Sequence, residues 1–327
     1  MSILGVELNE NLLLGHIGLT ASGYDLADKG DQAIQALIAA IRAAGFADDV
    51  CAYFARARTN QYAVNPYWPR GSCLSSACLF IDSAFSFSFD EYIAFEHSAG
   101  ASAAHQDGEF LAWIQELPDW LRRIQAHRAY PSLRDSYQAL IASRMEGYRA
   151  ASAGIEHCLR DFGCSPDGRR IVFLPNLLQA RAMADFVTQG NTTYVITTHP
   201  NATTILHEYL HPIVGQYRDL WAAYAASASF PRLVDSDKMM ACGYMWDASP
   251  AARMRALEEC AVRGIAAVLA SWVQEMDLAA YCQWNADSGF LLVPAIIAHA
   301  TQQRPLLNIL GTYLRAAIDR YLADWTD

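Results

Sequence analysis

The chain has 327 residues, 53% of them hydrophobic, and a formal charge of -10 at pH 7. That is enough apolar material for a substantial core, and it excludes a disordered chain. A nucleic-acid partner is excluded as well, because phosphate binding needs a basic face; Lys29 and Lys238 are the only lysines, and the arginines are scattered among acids.

The first segment, Met1 to Leu19, holds the apolar run Leu12-Leu13-Leu14, but Glu7 and Glu10 precede it and no basic region opens it, so it does not read as a signal peptide. No apolar stretch reaches the roughly 20 residues of a membrane-spanning helix, and no membrane partner is expected. The eight cysteines are spread along the chain without close CxxC pairs, which suits a reduced compartment. A cytoplasmic protein is the default expectation, although an exported chain trimmed of its signal would look the same. Oligomeric state is not written in the sequence.

Asp31 is expected to cap a helix running to about Ala44, with Ile34, Leu37, Ile38 and Ile41 on one stripe and Gly45 as the stop. Residues 65–72, punctuated by Pro66, Pro69 and Gly71, read as a loop. Phe85, Phe87 and Phe89 alternate with serine and suggest a short strand or an aromatic wall, with core packing the expected role. Helical periodicity holds from Glu109 to Phe162 with breaks at Pro118 and Pro131, and Ser132 with Asp135 resembles a capping box. His127 and His157 fall here as structural or solvent-facing residues.

After Gly163 the pattern changes. Residues 170–174 and 193–197 are short β-branched and aromatic runs, the second introduced by Gly190-Asn191. Asn201 should then cap a helix containing His207-Glu208-Tyr209-Leu210-His211. Histidines four apart stack on one helix face and can grip a single metal ion, while Glu208, beside the first of them, can reach a water at that metal without being a ligand. This is the HExxH arrangement of zinc hydrolases, and Zn2+, one ion, is the expected cofactor. Pro212 removes a backbone donor just after the motif and is a candidate kink. Residues 214–250 read as loop-rich; helices resume at about Ala251, pausing near 285–289 and 303–305.

A catalytic zinc takes three protein ligands and keeps one position open. Val214 and Tyr217 occupy the places where a metzincin carries glycine and its third histidine, so that class is excluded. A later helix supplies Glu258 and Glu259 in an otherwise apolar run, where a carboxylate is costly unless paired or metal-bound. Both remain open on the residues alone.

With HExxH and a downstream glutamate, the chain resembles the gluzincin group of zinc metallopeptidases. Met239–Tyr244 with Trp246, then Glu259-Cys260-Ala261-Val262-Arg263, then Ser288-Gly289-Phe290, are more specifically similar to a bacterial zincin-like family known mainly as a domain of unknown function. The resemblance covers about 170–310. It implies Glu259 as third ligand, with Glu258 as fallback, and a zinc metallopeptidase cleaving a peptide or protein substrate with Glu208 as general base. Many gluzincins carry an acid four residues after the ligand glutamate; here that position is Arg263, which is expected either to pair with a carboxylate or to face the substrate. For an oxyanion donor, the resemblance points to a tyrosine or histidine of the C-terminal half: Tyr244 first, then Tyr281 and His299. His199, in a turn before Pro200, is either a substrate contact or a local structural residue, and Cys260, about 100° around the helix from Glu259, reads as core.

The expected fold is α+β, mostly helical and zincin-like, with a small sheet backing the HExxH helix and offering an edge to an extended peptide. Residues 1–213 would carry that sheet and helix and 214–327 the third ligand, with the cleft between. The competing expectations are a structural or vestigial zinc site on a binding protein, and a helical interaction module without metal.

Overall fold

A computed structural model describes residues 2–59, 65–98, 108–165, 167–180, 183–245 and 247–324. Trp246, one of the residues carrying the resemblance, lies outside them. The fold is α+β and mostly helical, with one four-stranded mixed sheet. Among the described residues no helix is long and apolar enough to cross a membrane. The chain forms two compact units, one from Gly5–Ala150 and Ile171–Pro200, the other from Met1–Leu4, Ala151–Arg170 and Asn201–Asp327.

In the first unit β1 (Leu4–Val6) leads into α1 (Glu10–Ala21), capped by the Asn9 side chain, which accepts from the Leu12 N–H at 2.8 Å. The run Leu12-Leu13-Leu14 is buried because α1 is the centre of this unit, enclosed on several faces by α2 (Gln32–Ala43), α3 (Asp48–Ala55), α4 (Arg70–Cys78) and α7 (Leu117–Gln125). Gly18 permits the closest approach: a Cβ there would sit 2.5 Å from the Phe54 ring. The Asp31 cap, the buried stripe of α2 and the left-handed Gly45 follow the sequence expectation.

Other expectations need correction. The proline-rich segment ends sooner than expected, because α4 starts at Arg70, directly after Pro69. Phe85, Phe87 and Phe89 are only half-buried: Phe87 bridges Ile81 and Phe89 opens α5 (Phe89–Ser98), their rings packing on Tyr92, while Phe85 takes a positive φ of 62° and its ring centre lies 5.3 Å from the Arg122 guanidinium. After α6 (Gly108–Gln115) and α7, α8 (Tyr130–Phe162) starts two residues before Ser132. Pro131 fits in its first turn, where no backbone donor is required, and His127 Nδ1 accepts from the Ala129 N–H at 3.3 Å in place of the expected capping box.

The sheet has the order β1-β2-β4-β3, where β2 is Arg170–Pro175, β3 Ala184–Gln189 and β4 Thr192–Thr197. The expectation of two strands missed β1 and β3. Gly190-Asn191 joins β3 to β4 as a two-residue hairpin, antiparallel, with Gln189 opposite Thr192.

The second unit is built on α9 (Ala202–Val214), α10 (Arg218–Ala225), α11 (Phe230–Leu233), α12 (Ser236–Ala241), α13 (Pro250–Ala270), α14 (Leu278–Asp287), α15 (Leu292–Ala300) and α16 (Leu310–Ala323). Residues 214–250 thus hold three short helices where loops are expected. Ser249 caps α13 with Pro250 in its first turn, and every residue of α13 from Cys260 to Ala270 is buried against α9, α10 and α15. The HExxH helix α9 groups with these C-terminal helices in one compact unit.

Candidate metal centre

The Asn201 side chain caps α9, accepting from the Thr203 and Thr204 N–H groups at 2.8 and 3.3 Å. Ile205, Leu206, Tyr209, Leu210, Ile213 and Val214 form its buried face. His207, Glu208 and His211 fall on the remaining, half-buried stripe, as the 3.6-residue period requires. The helix continues past Pro212 to Val214 despite the lost proline donor, and the Gly215 N–H reaches the His211 carbonyl at 2.9 Å.

α13 packs on α9 and brings Glu259 to the two histidines. The Nε2 atoms of His207 and His211 are 3.2 Å apart; Glu259 Oε1 is 3.5 Å from the first and Oε2 3.5 Å from the second. His207, His211 and Glu259 are the group of ligand-bearing side chains, among the described residues, whose donor atoms all lie within 4.8 Å of one another. Two nitrogens bound tetrahedrally at zinc, each about 2.0–2.1 Å from it, are about 3.3–3.4 Å apart. The spacing and the two-nitrogen, one-carboxylate donor set therefore fit a zinc-type ion.

Glu258 takes a different place, with Oε1 3.5 Å from His211 Nδ1, on the opposite edge of the ring from Nε2. Arg263 holds Glu259 from the other side, its Nε donating to Oε1 at 2.7 Å, while NH1 reaches Asn285 Oδ1 at 3.4 Å. The guanidinium is buried against aromatic faces, 4.1 Å from the ring centre of Phe290, 4.8 Å from Tyr244 and 5.4 Å from Trp284. Of the two expectations for Arg263, the geometry shows the carboxylate pairing.

The electrostatics follow this arrangement. Burial lowers the pKa of His207 to about 3, opposed by Glu259. Burial would also lower His211, but the Glu258 carboxylate at its ring and the charges of Glu259 and Glu208 outweigh it and lift it to about 9. For Glu259, burial is overcome by His207, Arg263 and His211, and the carboxylate stays ionised down to about 2.

The three oxyanion candidates separate. Tyr244 is 36% exposed and packs its ring on Phe290 at 4.9 Å. Tyr281 lies within electrostatic reach of Arg263 and Glu259, its pKa raised by burial. His299 instead packs on Tyr313 at 4.9 Å, buried and, among the described residues, without a hydrogen-bond partner for either ring nitrogen. His199 is half-buried and belongs to the unit that carries the sheet. Cys260 is fully buried in the core.

Asn285 and Trp284 were not singled out from sequence. The i, i+4 spacing of Tyr281 and Asn285 on one helix was the available signal, but only contact with Arg263 distinguishes it from any amphipathic pattern. Comparison with protein-family models, with curated proteins and with solved structures gives no match for the chain.

Proposed function

We propose that the protein is a gluzincin-like zinc metallopeptidase in which His207, His211 and Glu259 hold one zinc ion and Glu208 moves the proton. The convergence of two Nε2 atoms and a carboxylate from α13 within 3.2–3.5 Å carries this reading. An ion held there would supply Lewis acidity and make a water nucleophilic near neutral pH.

The chain's own residues do the rest. Glu208 takes a proton from the attacking water and returns it to the leaving nitrogen, the acid–base work for which its position next to His207 suits it. Arg263 keeps Glu259 ionised and in place. Tyr244 and Tyr281, both beside Arg263, are the candidate donors to the oxyanion that forms at the carbonyl carbon. His299, packed on Tyr313, is not assigned that role.

The test is zinc content together with hydrolysis of a mixed peptide library. The wild type should purify with one zinc per chain and cleave, whereas Glu208→Gln should keep the zinc and lose about 10²–10⁴-fold in rate, the usual worth of a positioned general base. Metal in both proteins with no cleavage by either would favour the rival reading of a structural zinc site on a binding protein. A wild type purified without chelators that neither holds nor takes up zinc would remove both.

A further inference from the structure

We infer that Glu258 is a positioning residue that fixes the ring of His211 through Nδ1, and that residue 215 is glycine to leave that carboxylate its place. The inference rests on the proposed metal site. A neutral imidazole donates from one nitrogen and accepts, or ligates, at the other, so the group at Nδ1 decides whether Nε2 has its lone pair free. Glu258 Oε1 lies 3.5 Å from His211 Nδ1, while His211 Nε2 faces His207 Nε2 and Glu259 Oε2. An acceptor at Nδ1 holds the proton there and turns Nε2 toward the other two ligands.

A second observation comes from the backbone. A Cβ on Gly215, just past the end of α9, would meet the His211 carbonyl oxygen at 3.0 Å and Glu258 Oε1 at 3.2 Å, both tighter than ordinary contact. Gly215 has a φ of -61°, which any residue adopts, so conformational freedom does not account for the glycine. Space does, for the His211 carbonyl and for the Glu258 carboxylate on the side chain's path. The adjacent acids of α13 thus divide the work: Glu259 joins the ligand set and Glu258 orients one of its members. Both side chains are largely buried, 26% and 21% exposed, in keeping with fixed roles.

The experiment is a competition titration of zinc against a chromogenic chelator on the full chain, with circular dichroism confirming that each variant is folded. Glu258→Ala should weaken zinc binding about ten- to hundredfold, the usual effect of losing such a partner. Glu258→Gln, whose amide oxygen still accepts from Nδ1, should recover most of the loss. Gly215→Ala should weaken binding by crowding the carboxylate, yet cost nothing further when added to Glu258→Ala, a non-additivity that a merely structural glycine would not produce. A Glu258→Ala protein that binds zinc as tightly as the wild type overturns the inference and leaves the metal site standing. A wild type without zinc affinity overturns the metal site itself, and this inference with it.

Discussion

At the residue scale, Arg263 holds the centre together. Its guanidinium is buried among Tyr244, Trp284 and Phe290 and neutralises a carboxylate that would otherwise be expensive to keep ionised off water. Removing one partner of such a pair leaves an uncompensated charge. Arg263→Ala is therefore expected to lower the unfolding free energy by about 3–5 kcal/mol in urea titrations with chelator present. Arg263→Lys keeps the charge but has neither the planar face for the rings nor the fork that reaches both Glu259 and Asn285, so it should fall between the two. A Lys variant as stable as the wild type would show that charge alone matters. Sequence could mark Arg263 as a pairing residue, since a positive charge four residues from Glu259 on one helix is within reach of it. It could not find Asn285, because that contact is made between helices.

At the scale of elements, local signals worked where the element's own chemistry decided. The Asp31 side chain accepts from the Ala33 and Ile34 N–H groups at 3.0 and 3.1 Å and receives Arg144 at 2.6 Å. The Ile34 amide, opposed by burial and helped by the Arg144 charge and hydrogen bond, holds its pKa below the usual carboxylate value. A depressed folded pKa gives stability that is present above the unfolded value of about 3.8 and is lost as pH falls through the folded value. Asp31→Ala should thus cost about 1 kcal/mol at pH 7, as N-cap losses do, with the gap to the wild type closing below about pH 4. Thermal melts at pH 7 and pH 3 check this, and a gap that persists unchanged at pH 3 would refute it. The capping box at Ser132 failed for the converse reason: the ring of His127 and Pro131 in the first turn serve the start of α8 equally well, and sequence does not rank such options. β1 was missed because it has only three residues, and β3 because its sequence Ala184-Asp185-Phe186-Val187-Thr188-Gln189 carries a weaker β-branched signal than β2 or β4.

At the scale of the whole molecule, the cysteines give a direct check on the packing. Cys73, Cys78, Cys158, Cys164 and Cys260 are buried, Cys51 and Cys282 half-buried and Cys242 exposed, all as free thiols. Burial raises the pKa of Cys51 and Cys282, so both carry less thiolate. With a thiol-reactive chromogen, Cys242 should react first, Cys51 and Cys282 slowly, and the other five only after unfolding. Fast reaction of all eight in buffer would contradict the two cores. Those cores centre on α1 and α13, whose apolar runs Leu12-Leu13-Leu14 and 264–269 were legible in the sequence but whose packing partners were not.

By itself the sequence determined that His207 and His211 share one face of α9, since a four-residue spacing is a property of one helix, together with the caps at Asp31 and Asn201 and the apolar runs Leu12-Leu13-Leu14 and 264–269. Only the tertiary structure brought Glu259, and not Glu258, within reach of both histidine Nε2 atoms. Adjacent residues on a helix point about 100° apart, so the packing of α13 on α9 puts one at the Nε2 side of the histidines and the other at Nδ1 of His211.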